Sequence, residues 1–268
     1  MKLPPHSEEK NRSMAIAIEV KNLDFGYDSS QLVLQDVNFH IESGDFVSIV
    51  GPNGGGKTTL VLLLLGLLEP TRGDIRILGL PPYEARGKIG YLAQRIALDM
   101  NFPVSVLDVV RMGCADRAGF FGVFGGEDRN AAIEALAAVG MSKFAGRNFS
   151  ALSGGQRQRV LIARAIAPKP EMLLMDEPAA SLDVQVGSEF YELLGRLNKD
   201  MTIITVSHDM AFVSEYVKTV LCVHGRVAVH PTEKWDERMM DELYGGPVRR
   251  VRHEHNCVEK GCEGSHER

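Results

Sequence analysis

The chain is poor in cysteine, has no excess of positive charge and contains no apolar run long enough for a membrane span. Its four cysteines, Cys114, Cys222, Cys257 and Cys262, in 268 residues of reducing-compartment character argue against a disulfide framework. A formal charge of −5 supplies no overall basic field for nucleic acid, although local basic patches stay open. The longest apolar run, Leu60 to Leu68, is well short of the about 20 residues that a span needs, and predicts a buried helix. Met1 to Lys10 contains no apolar h-region, so nothing there signals secretion. These absences predict a cytoplasmic protein. The 44% apolar content is enough for a substantial core, predicted as one two-lobed domain with short tails.

Residues 1–15 are polar and predicted to be a flexible extension. Ile18 to Tyr27 and Val33 to Ile41 follow as strands; in the second, Val37, Phe39 and Ile41 alternate with Asn38 and His40, the pattern of a half-buried antiparallel strand. Ser43-Gly44-Asp45 is a turn. Asp74 to Gly79 and Lys88 to Leu92 predict two more strands, the latter running out at Gln94. From Val104 to about Ser150 the pattern turns helical, with Ile133, Leu136, Ala137 and Gly140 as the expected apolar stripe. Glu171 to Asp176 and Thr202 to Val206 are unbroken apolar strands suited to a parallel sheet covered on both faces, and Val186, Phe190, Leu193, Leu194 and Leu197 form a helical stripe between them. The alternation of such strands with helices predicts an α/β sheet.

The segment Gly51-Pro52-Asn53-Gly54-Gly55-Gly56-Lys57-Thr58-Thr59 lies between an apolar strand, Phe46 to Val50, and an apolar helix. A glycine-rich turn in this position leaves successive backbone N–H groups pointing inward, and the following helix adds its positive end, so the loop favours polyanionic phosphate. Lys57 supplies a full charge toward the β/γ-phosphates of a nucleoside triphosphate, and the Thr58 hydroxyl is sized to coordinate Mg²⁺.

Met175-Asp176-Glu177-Pro178 ends a buried strand in two carboxylates. Ligands of such sheets bind at the carboxyl ends of strands, which assigns Asp176 to the metal shell and Glu177 to polarising an attacking water. Alone, the tetrapeptide would read as an acidic strand exit; after the phosphate loop of Gly51 to Thr59, a P-loop, it does not. Leu152-Ser153-Gly154-Gly155-Gln156 opens an Arg-rich helix predicted from Arg157 to Ala167, where Ser153, Gly154, Gly155 and Gln156 form a second phosphate-attracting helix start. By itself it would be an ordinary serine N-cap.

With these motifs in this order, the chain resembles the nucleotide-binding subunit of ATP-binding cassette transporters over roughly residues 17–230. The resemblance implies a P-loop NTPase (RecA-like) core sheet with an antiparallel β subdomain and an inserted α-helical subdomain. The domain would run over residues 16–244, with the helical part at about 100–165 and a flexible His- and Cys-containing tail at 245–268. It implies ATP and Mg²⁺ as cofactors and a head-to-tail dimer in which Ser153 and Gly155 meet the γ-phosphate held by the other copy. Gln94 matches the family's Q-loop, reaching Mg²⁺ or water; Asp183, in Ser181-Leu182-Asp183, matches the D-loop; His208 matches the switch histidine at the γ-phosphate. Tyr27 stands where the family places an aromatic that stacks on adenine, the alternative being a tyrosine packed on the core.

In the same way the resemblance implies integral membrane permease subunits, a metal-binding substrate-binding protein and a peripheral position on the cytoplasmic face of the membrane. Asn101 to Gly113 is similar to the corresponding segment of zinc and manganese importers, though it also suits an ordinary helix of the second lobe. His253, His255, Cys257 and Cys262 offer ligands suited to Zn²⁺, in a spacing that matches no closed zinc motif. Another cargo (iron chelate, amino acid, lipid) or a cassette ATPase acting away from membranes is the alternative; nucleic acid is not an expected partner.

Overall fold

The computed structural model describes residues 15–28, 31–94, 102–117, 125–178, 184–207 and 216–232. All of them belong to one compact unit, Met1–Trp235. The first half of that unit builds a three-stranded antiparallel sheet from β1 (Ile16–Phe25), β2 (Leu34–Glu42) and β4 (Arg72–Ile77), in the order β2-β1-β4. The period-two pattern of β2 is realised as expected: Val37, Phe39 and Ile41 are buried while Asn38 and His40 face solvent.

The second sheet has six strands in the order β5-β6-β7-β3-β8-β9, from β3 (Phe46–Val50), β5 (Ile89–Leu92), β6 (Met172–Asp176), β7 (Thr202–Val206), β8 (Thr219–His224) and β9 (Arg226–Pro231). The first five run parallel and β9 returns antiparallel beside β8. Every residue of β3, β6 and β7 is buried, the burial that strands without alternation require. The mixed α/β fold is the one that the sequence predicts.

Helix α1 (Lys57–Leu64) leaves the end of β3. Leu60, Val61, Leu63 and Leu64 are buried in one core cluster with Val20 and Val37 of the small sheet and Ile49, Leu174 and Leu221 of the large one. A helix covered from several sides needs apolar residues around its whole circumference, and each such leucine contributes about 1.5–3 kcal/mol. It is shorter than its apolar run: the chain turns at Gly66, and Leu67 is exposed.

Short α2 (Pro82–Ala85) precedes β5, and α3 (Val106–Arg111), α4 (Gly126–Ala138) and α5 (Gly154–Ile166) pack against one another. The stripe expected on α4 is corrected. Ala131, Ala132, Ala135, Leu136 and Val139 are buried, whereas Ile133 is 40% exposed and Ala137 and Gly140 face solvent. Of the expected stripe only Leu136 is buried; the face against α3 and α5 combines it with Val139 and three alanines. Of the stripe expected on α6 (Val184–Leu197), Phe190, Leu193, Leu194 and Leu197 are buried, with Tyr191 added to them, while Val186 is half-buried.

Candidate functional site

Strand β3 delivers the chain into the glycine-rich loop, and β6 delivers Asp176 two strands away, with β7 between and Val206 in register with Asp176. At these carboxyl ends a pocket of about 450 Å³ is lined by Tyr27, Asn53, Gly54, Gly56, Lys57, Thr58, Thr59, Gln94, Asp176 and Glu177, together with Val33 and Val206. That volume lies within the usual range of small-molecule sites. Ten residues singled out in the sequence therefore share one cavity. Val33 and Val206 were missed; an apolar residue near a strand end carries no local signal of facing a ligand.

Gly56, φ +101, is the N-cap residue of α1 and provides no side-chain cap. The helix's first intrahelical bond is donated by Leu60 to Gly56, which leaves the amides of Lys57, Thr58 and Thr59 without intrahelical acceptors at the mouth of the loop. Gly51 and Gly55 do not line the pocket; they form the back of the loop. At Gly51, φ is +151 and an added Cβ would sit 2.1 Å from the Val223 carbonyl, so no other residue fits without moving the strand.

The Lys57 ammonium donates to the carbonyls of Gly51 and Pro52, both at 2.9 Å. Burial pushes its pKa down, and the carboxylates of Glu177 and Asp176 partly offset this. Thr58 presents its side chain at the surface of the pocket, whereas Thr59 is buried. The Thr59 hydroxyl meets the Tyr27 hydroxyl at 3.2 Å. Tyr27 is 65% exposed and stands edge-on to Phe25, ring centroids 5.1 Å apart. It is thus tethered at the pocket rim rather than packed into the core.

Glu177 adopts φ +49, a left-handed conformation that costs a non-glycine residue roughly 1–2 kcal/mol. Its amide donates to the Val206 carbonyl at 2.9 Å, and its carboxylate accepts from the Gln94 side-chain amide. The two residues come from different strand ends, and no sequence spacing announces their contact. Burial, and then the charge of Asp176, push the Tyr91 hydroxyl pKa up. A hydroxyl (Thr58), a carboxylate (Asp176) and an amide (Gln94) therefore stand in one pocket beside a lysine, a donor set that fits Mg²⁺ bound with a polyphosphate.

Ser153, Gly154, Gly155 and Gln156 do not line this pocket. Helix α5 starts at Gly154 rather than Arg157, so both glycines lie in its first turn. Ser153 caps it: its hydroxyl accepts from the Gln156 amide at 3.3 Å, and the Gln156 side chain accepts from the Ser153 amide at 3.1 Å. Asp183 and His208 lie outside the described residues, as do His253, His255, Cys257 and Cys262. Cys114 and Cys222 are buried free thiols; burial pushes Cys222 up to about 11.

A nucleotide-binding P-loop ATPase domain is the class that this sheet and this pocket define. The ABC transporter family model matches residues 34–180, and the chain belongs to that family. It is 39% identical to the zinc uptake system ATP-binding protein ZurA of Listeria innocua over 215 residues, 78% of this chain and 83% of that protein. With the manganese transport system ATP-binding protein MntB of Bacillus subtilis it shares 38% identity over 85% of this chain and 92% of that one. Among solved structures, it is similar to an ATP-binding cassette in a dimeric post-hydrolysis state with ADP and Pi bound, with 30% identity and a TM-score of 0.68, over 81% of this chain and all of that one.

Proposed function

We propose that this chain is the ATP-hydrolysing subunit of an importer for a divalent metal ion, zinc or manganese, working as a dimer beneath separate membrane subunits. The observation that carries the enzymatic half is the convergence of Lys57, Asp176, Glu177 and Gln94 on one pocket from three strand ends. The amides of the loop and of the start of α1, with Lys57, hold the phosphates, and Tyr27 presents its ring to the base. Asn53, Gly54 and Gly56 shape the cradle; Gly51, Pro52 and Gly55 hold it from behind. Thr58, Asp176 and Gln94 would hold Mg²⁺, which supplies charge neutralisation at the phosphates. Glu177, fixed by Gln94 and by its own strained backbone, orients and polarises the attacking water. His208 contacts the γ-phosphate, and Asp183 links the two sites.

The dimer is supported by features that one copy alone does not use. An added Cβ on Gly154 would meet nothing within 4 Å, and its φ is not positive, so no constraint in this subunit calls for glycine there. Close approach of a partner's phosphate would, whereas at Gly155 a Cβ would stand 2.8 Å from the Val186 Cγ1, so glycine there is also called for within this subunit. The Ser153 hydroxyl accepts in its own capping box and retains its proton to donate across the interface. The related cassette solved as a dimer with ADP and Pi bound supports a dimer here. ATP then closes the pair by touching both copies, and loss of the γ-phosphate opens it.

Among the described residues no helix is long and apolar enough to cross a membrane. The transport pathway then belongs to separate permease subunits, which hold this chain at the cytoplasmic face. We place the seat of such a subunit at a hollow of about 460 Å³ lined by Tyr91, Ala93, Met112, Gly113 and Arg164 and adjoining Gln94 in sequence; the proposed domain bounds stay at 16–244, with the helical lobe at about 100–165. A metal-binding protein would deliver the cargo.

The cargo reading rests on the names of the relatives. Its test is reconstitution with the membrane subunits that co-purify with the chain, followed by uptake of radioactive zinc and manganese into vesicles. ATP-dependent accumulation of either metal is expected; accumulation of neither, with an iron chelate or amino acid carried instead, overturns it. For residues 245–268, titration calorimetry with Zn²⁺ on the full chain and on a version ending at Gly246 should show heat lost with the tail. Identical heats would make the tail a spectator.

A further inference from the structure

One of the contacts at the back of the phosphate loop comes from a residue that belongs to none of the motifs. Gly55 is buried, and its carbonyl points away from the pocket, where a backbone acceptor needs a partner. The amide of Gly225 supplies it at 3.0 Å. The Gly225 carbonyl in turn accepts from the amide of Gln35 at 2.7 Å, near the start of β2. Gln35 follows Val33 and Leu34: Val33 lines the pocket, and the Leu34 side chain lies 2.8 Å from where a Cβ on Gly56 would stand.

We infer that Gly225, at the bend between β8 and β9, is a positioning residue for nucleotide, spacing the wall that carries Val33 from the loop that grips phosphate. The inference rests on the nucleotide reading of the pocket. Its geometry explains the residue type. Gly225 has φ +66, so its amide and carbonyl face in the two directions that the strut needs, a conformation that a β-branched residue does not hold. Space is not the constraint, because the nearest atom to an added Cβ, the Val33 carbonyl oxygen, is 4.0 Å away. A β-branched side chain therefore turns the bend toward negative φ and withdraws the amide from Gly55. The loop keeps its lysine and its amides but loses the brace that sets their distance from Val33.

The test compares Gly225→Val with Gly140→Val, a control at φ +73 in the turn after α4, away from the pocket. Both variants lose thermal stability. Affinity for a fluorescent ATP analogue is expected to fall about tenfold in the first and to stay within about twofold of wild type in the second. Gly225→Asn, which tolerates the left-handed region, should recover most of the loss. Folded Gly225→Val binding the analogue as tightly as Gly140→Val overturns the strut, while a wild-type chain that fails to bind overturns the nucleotide reading itself and the strut with it. Should Gly225→Val not fold, residue-resolved hydrogen exchange on the wild-type chain decides. The Gly225 and Gln35 amides should be protected and slow further with the analogue bound, and exchange unchanged by nucleotide rejects the inference.

Discussion

Replacing Lys57 with alanine is expected to weaken ATP binding by roughly ten- to a hundredfold, the range that follows from losing a charge-assisted hydrogen bond to phosphate. The side chain is 6% exposed and its ammonium is held between the Gly51 and Pro52 carbonyls, so it is delivered to the pocket already oriented. Two carboxylates, Asp176 and Glu177, line the same cavity. Without Lys57 they meet a polyanion with less compensating charge, and the loop carbonyls lose their donor. Titration of the variant with ATP, alongside circular dichroism to confirm folding, makes the measurement. Affinity equal to that of wild type would remove the phosphate assignment of the loop.

The second large effect separates holding ATP from using it. Glu177→Gln should bind ATP as well as the native chain does, yet turn over on the order of a hundred- to ten-thousandfold more slowly, the usual contribution of a general base. Glutamine keeps an oxygen to accept from Gln94, so the pocket is not dismantled. What is lost is the anionic oxygen that polarises water. Because the bridging phosphate then survives, ATP should shift the variant from monomer to dimer in light scattering, while ADP should not. Unchanged phosphate release would take the role away from Glu177. A variant that neither hydrolyses nor dimerises would retain the base but discard the shared-nucleotide mechanism.

The two substitutions also show which parts of the site were readable in advance. Lys57 belongs to a contiguous loop whose function follows from local geometry: glycines where the chain must turn, and a helix start whose amides lack partners. The Ser153 and Gln156 capping box is equally local, with two residues between the hydroxyl and the amide that it caps. Strand burial was legible too, because Met172 to Met175 and Thr202 to Val206 show no alternation of apolar and charged residues, which suits a sheet covered on both faces. On α4 the same reasoning chose the wrong face. Hydrophobicity ranks isoleucine above alanine, but the buried face is built from Ala131, Ala132, Ala135, Leu136 and Val139, and Ile133 was turned out to solvent.

From the order of its residues alone, this protein's phosphate loop, its acidic strand end, its α/β class and its family likeness could be established, because each depends on groups within a few positions of one another. Tertiary structure decided that β7 separates the two functional strands, that Gln94 reaches Glu177, that Tyr27 is tied to Thr59 and that Gly225 braces the loop from behind. Those contacts join segments far apart along the chain. The same apolar pattern is compatible with many strand orders, and only the packing of both sheets about α1 selects the one that brings these groups within hydrogen-bonding distance.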